Sequence, residues 1–357
     1  MINKLKLSVS AAALALLAVG GISAAQAADV VQDPGCSLNG SVMAGYMYNW
    51  QDVSSDFSIS GDDVEDKDFD VNGNPEWQTP FAEGAALFTC GELNIQADFA
   101  SYNHSNDIDG KDEDIDQHNM HAGGALFYRN SSWAGGLSAS MINQDVDDKD
   151  IGTFRVGLFG EFYFDDVFTL GASAHYYNQD EFDGKDEDGF ELAAWGRFYA
   201  TPDFSLMLRG DLLLPNSKFN FDPGDVPPDI NFDTDIHQGT GWAITGEAEY
   251  LVWDNGLTIF GGARYAERSW DFNFDIDPDP DVHFEFDNDI EDLQVYAGLK
   301  FYFDFAGGRT LVENHRMGAY DNTSVFHEKL PEAFTSSIAG VADAIDPEEV
   351  MLVAAPN

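Results

Sequence analysis

Basic residues are scarce in this chain. Its 357 residues include 17 Lys and Arg against 64 Asp and Glu, which gives a formal net charge of -47 at pH 7. Because nucleic-acid phosphates would repel such a chain, the composition excludes DNA and RNA as partners. An acidic chain with few aromatics would be disordered, but 13% of the residues are aromatic and 34 are glycine, which favours a β-rich fold.

Long apolar runs are missing after the first residues. Early lysines, an apolar run at 11–22 and small residues before a cleavage site at Ala27 indicate that residues 1–27 form a signal peptide. The alternative, a transmembrane helix, needs about 20 apolar residues. The mature chain is therefore predicted to be exported, with residues 28–36 as a periplasmic N-terminal segment, and to span a membrane only with strands.

Cysteine is nearly absent, with two residues in the chain. Cys36 precedes the first predicted strand and Cys90 lies in the first short turn, so antiparallel pairing would place both at one rim. We predict a disulfide bond between them, which an exported protein permits. The alternative is two unpaired thiols, and neither has a neighbouring His or basic residue that would mark a nucleophile.

Recognisable catalytic sets are missing as well. His118 and His121 fall on opposite faces of one predicted strand, and His175 is isolated. The sequence has no Ser-His-Asp set at readable spacing, no phosphate-cradling glycine loop and no Cys/His metal cluster. We therefore predict that the chain is not an enzyme and carries no cofactor, apart from a Ca²⁺ alternative described below.

Alternation is what the chain has in abundance. Twelve runs of alternating apolar and polar residues recur from Ser37 to Phe305, and the connections between them alternate between short and long. This predicts an all-β fold, a transmembrane antiparallel up-and-down β-barrel of about 12 strands over residues 37–305. Short turns then face the periplasm and long acidic loops face outside. A soluble β-sandwich, the alternative, does not explain the alternating connection lengths.

Two further patterns support a barrel in a membrane. The last long loop, 271–292, alternates too, which predicts a hairpin that continues beyond the membrane. Aromatic residues cluster near the predicted strand ends with outward parity, as in the aromatic girdles of outer-membrane barrels. They are Tyr46, Tyr48, Trp50, Phe162, Phe164, Trp242, Tyr250, Phe301, Phe303 and Phe305.

Charged residues with inward parity form the candidate lumen. On one interpretation they neutralise one another, because an unpaired charge there is costly. On the other they line a charged constriction that filters solutes by sign and size. The predicted pore-lining residues are Arg155, Arg197, Arg209, Asp211, Glu247, Glu249, Arg264 and Lys300, and further inward candidates are Asp98, Glu161, Glu191 and Asp304.

The long loops carry candidate cation ligands. Residues 68–73 have the opening spacing of an EF-hand loop, but position twelve is Thr79 rather than Glu. Two other loops share the element Asp-Gly-Lys-Asp-Glu-Asp, whose carboxylates around a glycine turn suit Ca²⁺. The alternative is a solvated anionic surface without bound metal. The candidate ligands are Asp68, Asp70, Asn72, Asp107, Asp109, Asp112, Asp183, Asp186 and Asp188.

Several segments resemble porin-like outer-membrane β-barrel proteins of α-proteobacteria. They are Gly124-Ala-Leu-Phe-Tyr-Arg129, Arg155-Val-Gly-Leu-Phe-Gly-Glu-Phe-Tyr163, Phe168-Thr-Leu-Gly-Ala172, Val295-Tyr-Ala-Gly-Leu-Lys-Phe-Tyr-Phe303, the start at Pro34-Gly-Cys36 and Gly-Gly-Arg-Thr-Leu-Val-Glu-Asn-His-Arg316. The resemblance implies an outer-membrane location and a barrel architecture more than any activity. The acidic loops and the long tail depart from that group.

The tail after the last predicted strand, 306–357, is interpreted as a C-terminal periplasmic extension. Residues 331–345 read as a weak amphipathic helix that opens with proline. Such a tail has three uses: it plugs the lumen, contacts periplasmic partners or stays mobile. We expect a mobile tail.

Together these observations predict a porin-like channel for small cationic or neutral solutes in the outer membrane. Acidic loops would concentrate cations at its mouth. The alternative is a non-conducting surface barrel whose loops bind Ca²⁺ or Mg²⁺ or bridge lipopolysaccharide. Membrane lipid, lipopolysaccharide and small solutes are the expected partners, and a homo-oligomer stays open.

Overall fold

The computed structural model describes residues 36–331 apart from 62–63, 107–114, 147–148, 180–186, 217, 220–230, 254, 278–281 and 305–309. Fourteen strands form one antiparallel sheet, and twelve of them close into a ring, because β1 also pairs with β14 and β10 with β12. The predicted all-β barrel of twelve strands is confirmed. The strands are β1 (Cys36–Gly61), β2 (Val64–Gly73), β3 (Glu76–Cys90), β4 (Leu93–Asn106), β5 (Ile115–Arg129), β6 (Trp133–Val146), β7 (Lys149–Phe164), β8 (Phe168–Gln179), β9 (Glu187–Thr201), β10 (Phe204–Pro215), β11 (Lys218–Phe219), β12 (Asn231–Trp253), β13 (Leu257–Asp277) and β14 (Val282–Asp304).

The two ends of the barrel differ in their connections. One end, called the turn end, carries the short connections such as those after β3, β5, β7, β9 and β12, together with both ends of the barrel chain. The opposite end, the loop end, carries the longer connections after β4, β8 and β10, together with connections of two residues after β6 and four residues after β13. Gly91 (φ 62°) and Gly256 (φ 96°) adopt the left-handed backbone region in two of the turns, which other residues rarely enter. These glycines permit the sharp reversals that set the register of β4 and β13.

The two faces of the wall follow the alternation in sequence. On β14, Leu293, Val295 and Leu299 are exposed on the outside, whereas the alternating residues Asp292 and Gln294 are buried inside. Exposed aromatic rings such as Trp50, Phe162, Phe164, Trp242 and Tyr250 accompany the outward aliphatic residues. The outward face is therefore apolar and aromatic, as a barrel surrounded by acyl chains requires.

The barrel interior contains packed apolar side chains as well as polar ones, and β3 shows this best. Its inward residues Trp77, Phe81 and Leu87 are buried, and they flank Glu83, which accepts a hydrogen bond from the Tyr102 hydroxyl. The parity of this strand is ambiguous in the sequence, because alternation is readable only when one face is polar. Apolar residues on the lumen side remove that contrast.

Four strands of the ring, β1, β12, β13 and β14, continue well beyond the others at the loop end. The pairing of β13 with β14 runs from Leu257 opposite Phe301 to Ile276 opposite Val282 without a register shift. The predicted hairpin in the last long loop is therefore confirmed. β12 extends beside it, and β2 forms a similar extension by pairing with β1.

The predicted disulfide bond is present between Cys36 and Cys90. The two residues are directly opposite in the antiparallel pair of β1 and β3, so the register of that pair brings the thiols together. The described residues contain no free cysteine. The bond fixes the first strand to its neighbour at the turn end, 54 residues along the chain.

Replacing both cysteines with Cys36→Ser and Cys90→Ser is expected to lower the free energy of unfolding by about 2–4 kcal/mol, because the unfolded chain regains the entropy of an open loop. Guanidinium unfolding in detergent, followed by tryptophan fluorescence, measures the difference. Wild-type protein treated with a reductant is the matched control and should show the same loss. Equal midpoints for all three samples contradict the prediction.

The chain after the barrel returns into it. Residues 310–331, called the lumen segment, form helix α1 (Leu311–Met317), an extended stretch and a π-helical turn (Val325–Lys329). Neither helix of the described part is long and apolar enough to cross a membrane. This placement differs from the expected mobile periplasmic tail, because wall residues from many strands hold the segment. The predicted helix at 331–345 lies outside the described residues except for its first residue.

Candidate functional site: the barrel lumen

All eight predicted pore-lining residues occupy inward positions. Arg155 and Asp211 border a small space of about 10 Å³, and the others border a central cavity of about 190 Å³ between the wall and the lumen segment. Those six are Arg197, Arg209, Glu247, Glu249, Arg264 and Lys300. The further candidates Asp98, Glu161 and Glu191 also face inward, whereas the side chain of Asp304 lies outside the description. Their part in conduction stays a prediction.

Opposite charges on the inner wall meet both within one strand and between strands that are two apart. Arg197 on β9 lies 3.5 Å from Glu247 and 3.5 Å from Glu249, both on β12. Arg209 and Asp211 on β10 form an ion pair at 2.7 Å. Since an unpaired ion in so confined a space is costly, these pairs explain how many charges share one lumen.

Two further cations rest against neutral groups. Arg264 donates hydrogen bonds to Thr245 Oγ1 (3.0 Å) and to Gln294 Oε1 (2.6 Å). The Lys300 ammonium lies 4.7 Å from the centre of the Tyr302 ring, within the range of a cation–π contact. The cavity therefore offers positive charge alongside the carboxylates.

Helix α1 closes the turn end of the lumen. Thr310 and Glu313 form a capping box at its start, and the Leu311 N–H donates to the carbonyl oxygen of Pro202 in the turn after β9 (2.7 Å). Near its end, Arg316 donates to the Phe168 carbonyl oxygen (3.0 Å), and His315 contacts Glu249 (2.9 Å). The helix is thus attached to several positions at the turn end of the barrel.

The extended stretch crosses the middle of the lumen. The ring of Tyr320 stacks on that of Phe159 with centroids 3.7 Å apart. Gln96 holds the backbone of the same tyrosine twice, since its amide donates to Tyr320 O and its oxygen accepts from Tyr320 N, both at 2.7 Å. The side chain of Gln96 thereby replaces the strand partner that an isolated extended stretch lacks.

A buried ionic network joins the segment to the wall, and we call it the latch. Arg155 pairs with Glu191 (2.5 Å) and lies 3.8 Å from Glu328 of the lumen segment. Glu328 also contacts His121 (2.9 Å), whose other ring nitrogen contacts Asp98 (2.6 Å). Because carboxylates only accept, this arrangement suits an imidazolium that donates through both nitrogens.

A second arm of the latch reaches the segment through Glu191. This carboxylate contacts the His327 ring (2.7 Å) and accepts a hydrogen bond from the Ser324 hydroxyl. The backbone N–H of Ser324 in turn donates to Glu328 (2.9 Å). The wall carboxylate Glu191 therefore has partners on the segment, and the segment carboxylate Glu328 has partners on the wall.

Apolar packing surrounds the π-helical turn toward the loop end. Three residues of the turn region contribute to a buried cluster with side chains from four wall strands. Its members are Tyr177, Leu213, Ala243, Ala266, Val325, Phe326 and Leu330. The lumen segment consequently extends from the turn end of the lumen to its loop end.

Sequence reasoning missed the segment's own contributions, chiefly Ser324, His327 and Glu328. Their inward partners were readable in part: Glu191 was a lumen candidate, and His121 was noted without a role. A buried carboxylate needs a cation or donors nearby. This requirement of the inward carboxylates is the signal in the sequence that another segment of the chain enters the lumen.

The candidate cation ligands are spread over the loop end. Asp68, Asp70 and Asn72 belong to strand β2, and Asp188 lies near the start of β9. The remaining five, Asp107, Asp109, Asp112, Asp183 and Asp186, lie outside the described residues. Within the described part, no group of three or more His, Cys, Asp or Glu side chains is placed to hold a metal ion. Calcium binding stays a prediction.

Comparison with known proteins gives limited information. No protein-family model and no curated protein sequence matches this chain. Among solved structures, a FadL homologue of Pseudomonas aeruginosa aligns with a TM-score of 0.39 and 9% identity, covering 73% of this chain and 90% of that one. The KdgM porin aligns at 0.37 and 7%, covering 70% and 99%, and the toluene transporter TodX of Pseudomonas putida at 0.34 and 10%, covering 71% and 89%.

These neighbours are outer-membrane barrels, but at such scores their likeness assigns no function to this chain. The resemblance to barrels of α-proteobacteria, carried by short strand motifs, likewise stays a prediction. What the chain does must therefore be argued from its own lumen.

Proposed function

We propose that this chain forms an outer-membrane channel for small solutes and that its lumen segment controls passage. The observation that carries the proposal is a closed barrel, apolar outside and charged inside, whose interior is occupied by a segment attached to the wall through noncovalent contacts.

The proposed orientation follows from connection lengths. In outer-membrane barrels the short turns lie in the periplasm and the longer loops lie outside. The turn end of this barrel therefore faces the periplasm, and the acidic loop end faces the surroundings of the cell. Negative loops attract cations toward the outer mouth.

The central cavity gives the proposal its mechanism. Its volume of about 190 Å³ is large enough to hold several water molecules. Helix α1 covers this cavity toward the periplasm, and the extended stretch and the latch cover it toward the outside. Passage requires these covers to move, whereas the wall itself can stay in place.

Ion selectivity tests the part of the proposal that concerns charge. With a barrel that lacks residues 310–357, a KCl gradient across a planar bilayer should give a reversal potential of cation-selective sign. Neutralising loop acids with Asp109→Asn and Asp186→Asn should shift that potential toward zero, because the mouth then attracts fewer cations. Reversal potentials of anion-selective sign contradict the cation preference. Absence of conductance in every variant contradicts the channel itself.

A further inference from the structure

The contacts with strand β4 show in which direction the lumen segment runs through the barrel. This strand runs from Leu93 at the turn end to Asn106 at the loop end. Its inward residues meet the segment in the same order along both chains. The pairs are Gln96 with Tyr320, Asp98 with Asn322, and His104 with the Glu328 carbonyl oxygen.

Strand β5 gives the same direction independently. It runs the opposite way, from Ile115 at the loop end to Arg129 at the turn end. Arg129 donates to the carbonyl oxygen of Gly318 (2.7 Å), whereas Asn119, near the other end, donates to that of Glu328 (3.0 Å). The segment therefore climbs steadily from the turn end toward the loop end without folding back.

The far end of the segment reaches the upper limit of the apolar belt. The carbonyl oxygen of Pro331 accepts hydrogen bonds from Arg268 (3.1 Å) and Gln51 (3.4 Å). On β1 the outward residues change at this level, from the aromatic Trp50 to the exposed charge of Asp52. Such a change marks the interface between hydrocarbon and water in a membrane barrel.

The length of the segment agrees with these contacts. Leu311 and Arg316 both contact turn-end positions, so α1 lies across the turn end. The stretch that follows, 318–324, spans at most about 23 Å at about 3.3 Å per residue. This length is comparable to the apolar band of an outer-membrane barrel, which is about 25 Å tall.

From this path we infer that the barrel carries its own chain through the membrane and presents its C-terminal part, residues 332–357, on the outer side. The inference rests on the orientation given under the proposed function. It adds a second role for the lumen, which is to hold a translocated segment in place. The latch and the apolar cluster at the π-helical turn supply that hold.

Thiol labelling in intact cells tests the inference with the full-length protein. Both native cysteines form the disulfide bond, so a single introduced cysteine is the only free thiol. Pro356→Cys should react with a polyethylene-glycol maleimide too large to pass porins. Asn72→Cys, on the exposed β2 extension, should react as well, and Asp166→Cys, in an exposed short turn, should react only after the outer membrane is permeabilised.

The three positions separate the possible outcomes. Labelling of Pro356→Cys in intact cells, to the extent seen after permeabilisation, supports the inference. Labelling only after permeabilisation, or in neither sample, overturns it. If Asn72→Cys and Asp166→Cys exchange their behaviour, the orientation is wrong and the proposed function fails with it. Bilayer conductance is independent of all three, so the channel and the translocated end can fail separately.

Discussion

Deletion of residues 310–357 is expected to turn a closed barrel into a conducting one. The lumen segment occupies the lumen from α1 to the apolar cluster and leaves a central cavity of about 190 Å³ between itself and the wall. A barrel of 8 strands is just wide enough to be filled by its own side chains, so twelve strands leave free space once the segment is gone. Planar-bilayer recordings should change from no resolved steps to discrete ohmic steps.

The matched control is a shorter deletion, of residues 332–357. It leaves the whole lumen segment and its contacts in place, so its recordings should resemble those of the full-length protein. Large steps from this control would mean that the described segment does not close the pore. Identical recordings from the full-length chain and the longer deletion would mean that the segment closes nothing.

Arg155→Met is expected to destabilise the folded protein by about 3–5 kcal/mol, because removing one partner of a buried ionic cluster leaves uncompensated charges. Arg155 is almost fully buried and pairs with Glu191 on the wall, close to Glu328 on the segment. Without it Glu191 keeps only the His327 ring and the Ser324 hydroxyl, and Glu328 keeps only the His121 ring and the Ser324 backbone N–H. Urea unfolding in detergent, followed by tryptophan fluorescence, measures the loss.

Two control experiments show whether the stability loss in Arg155→Met comes from the buried ionic cluster. Asp166→Asn removes the exposed partner of Arg316 and should change stability by less than about 1 kcal/mol. Repeating Arg155→Met in the deletion of residues 310–357 removes Glu328 from the comparison. The cost should then fall, because Glu328 is absent and water that enters the emptied lumen solvates Glu191, which has also lost His327 and Ser324. An unchanged cost contradicts a charge shared between wall and segment.

The barrel itself was readable from the sequence because its rule is local. Alternation with period two, together with short turns such as the one containing Gly256, fixes strand, face and neighbour without any long-range information. The pairing of Cys36 with Cys90 followed from that register.

The contents of the lumen were not readable, for two physical reasons. Inward aromatic residues such as Phe127 and Phe159 lack the polar contrast that marks a water-filled pore, and they signal packing only when their partner Tyr320 is known. The lumen segment has no periodicity of its own, since its contacts are made residue by residue with different strands. Its sequence therefore resembles that of a loose tail.

The barrel's closing seam has a consequence for biogenesis. Asn39 on the first strand pairs with Asp304 on the last, so the ring is completed only when nearly the entire polypeptide is present. Contacts between residues so distant in sequence form slowly. The residues that occupy the interior follow the last strand in the chain, so we expect them to enter the half-formed sheet before its seam closes. Variants that delay zipping of the first and last strands should therefore also delay occupancy of the interior.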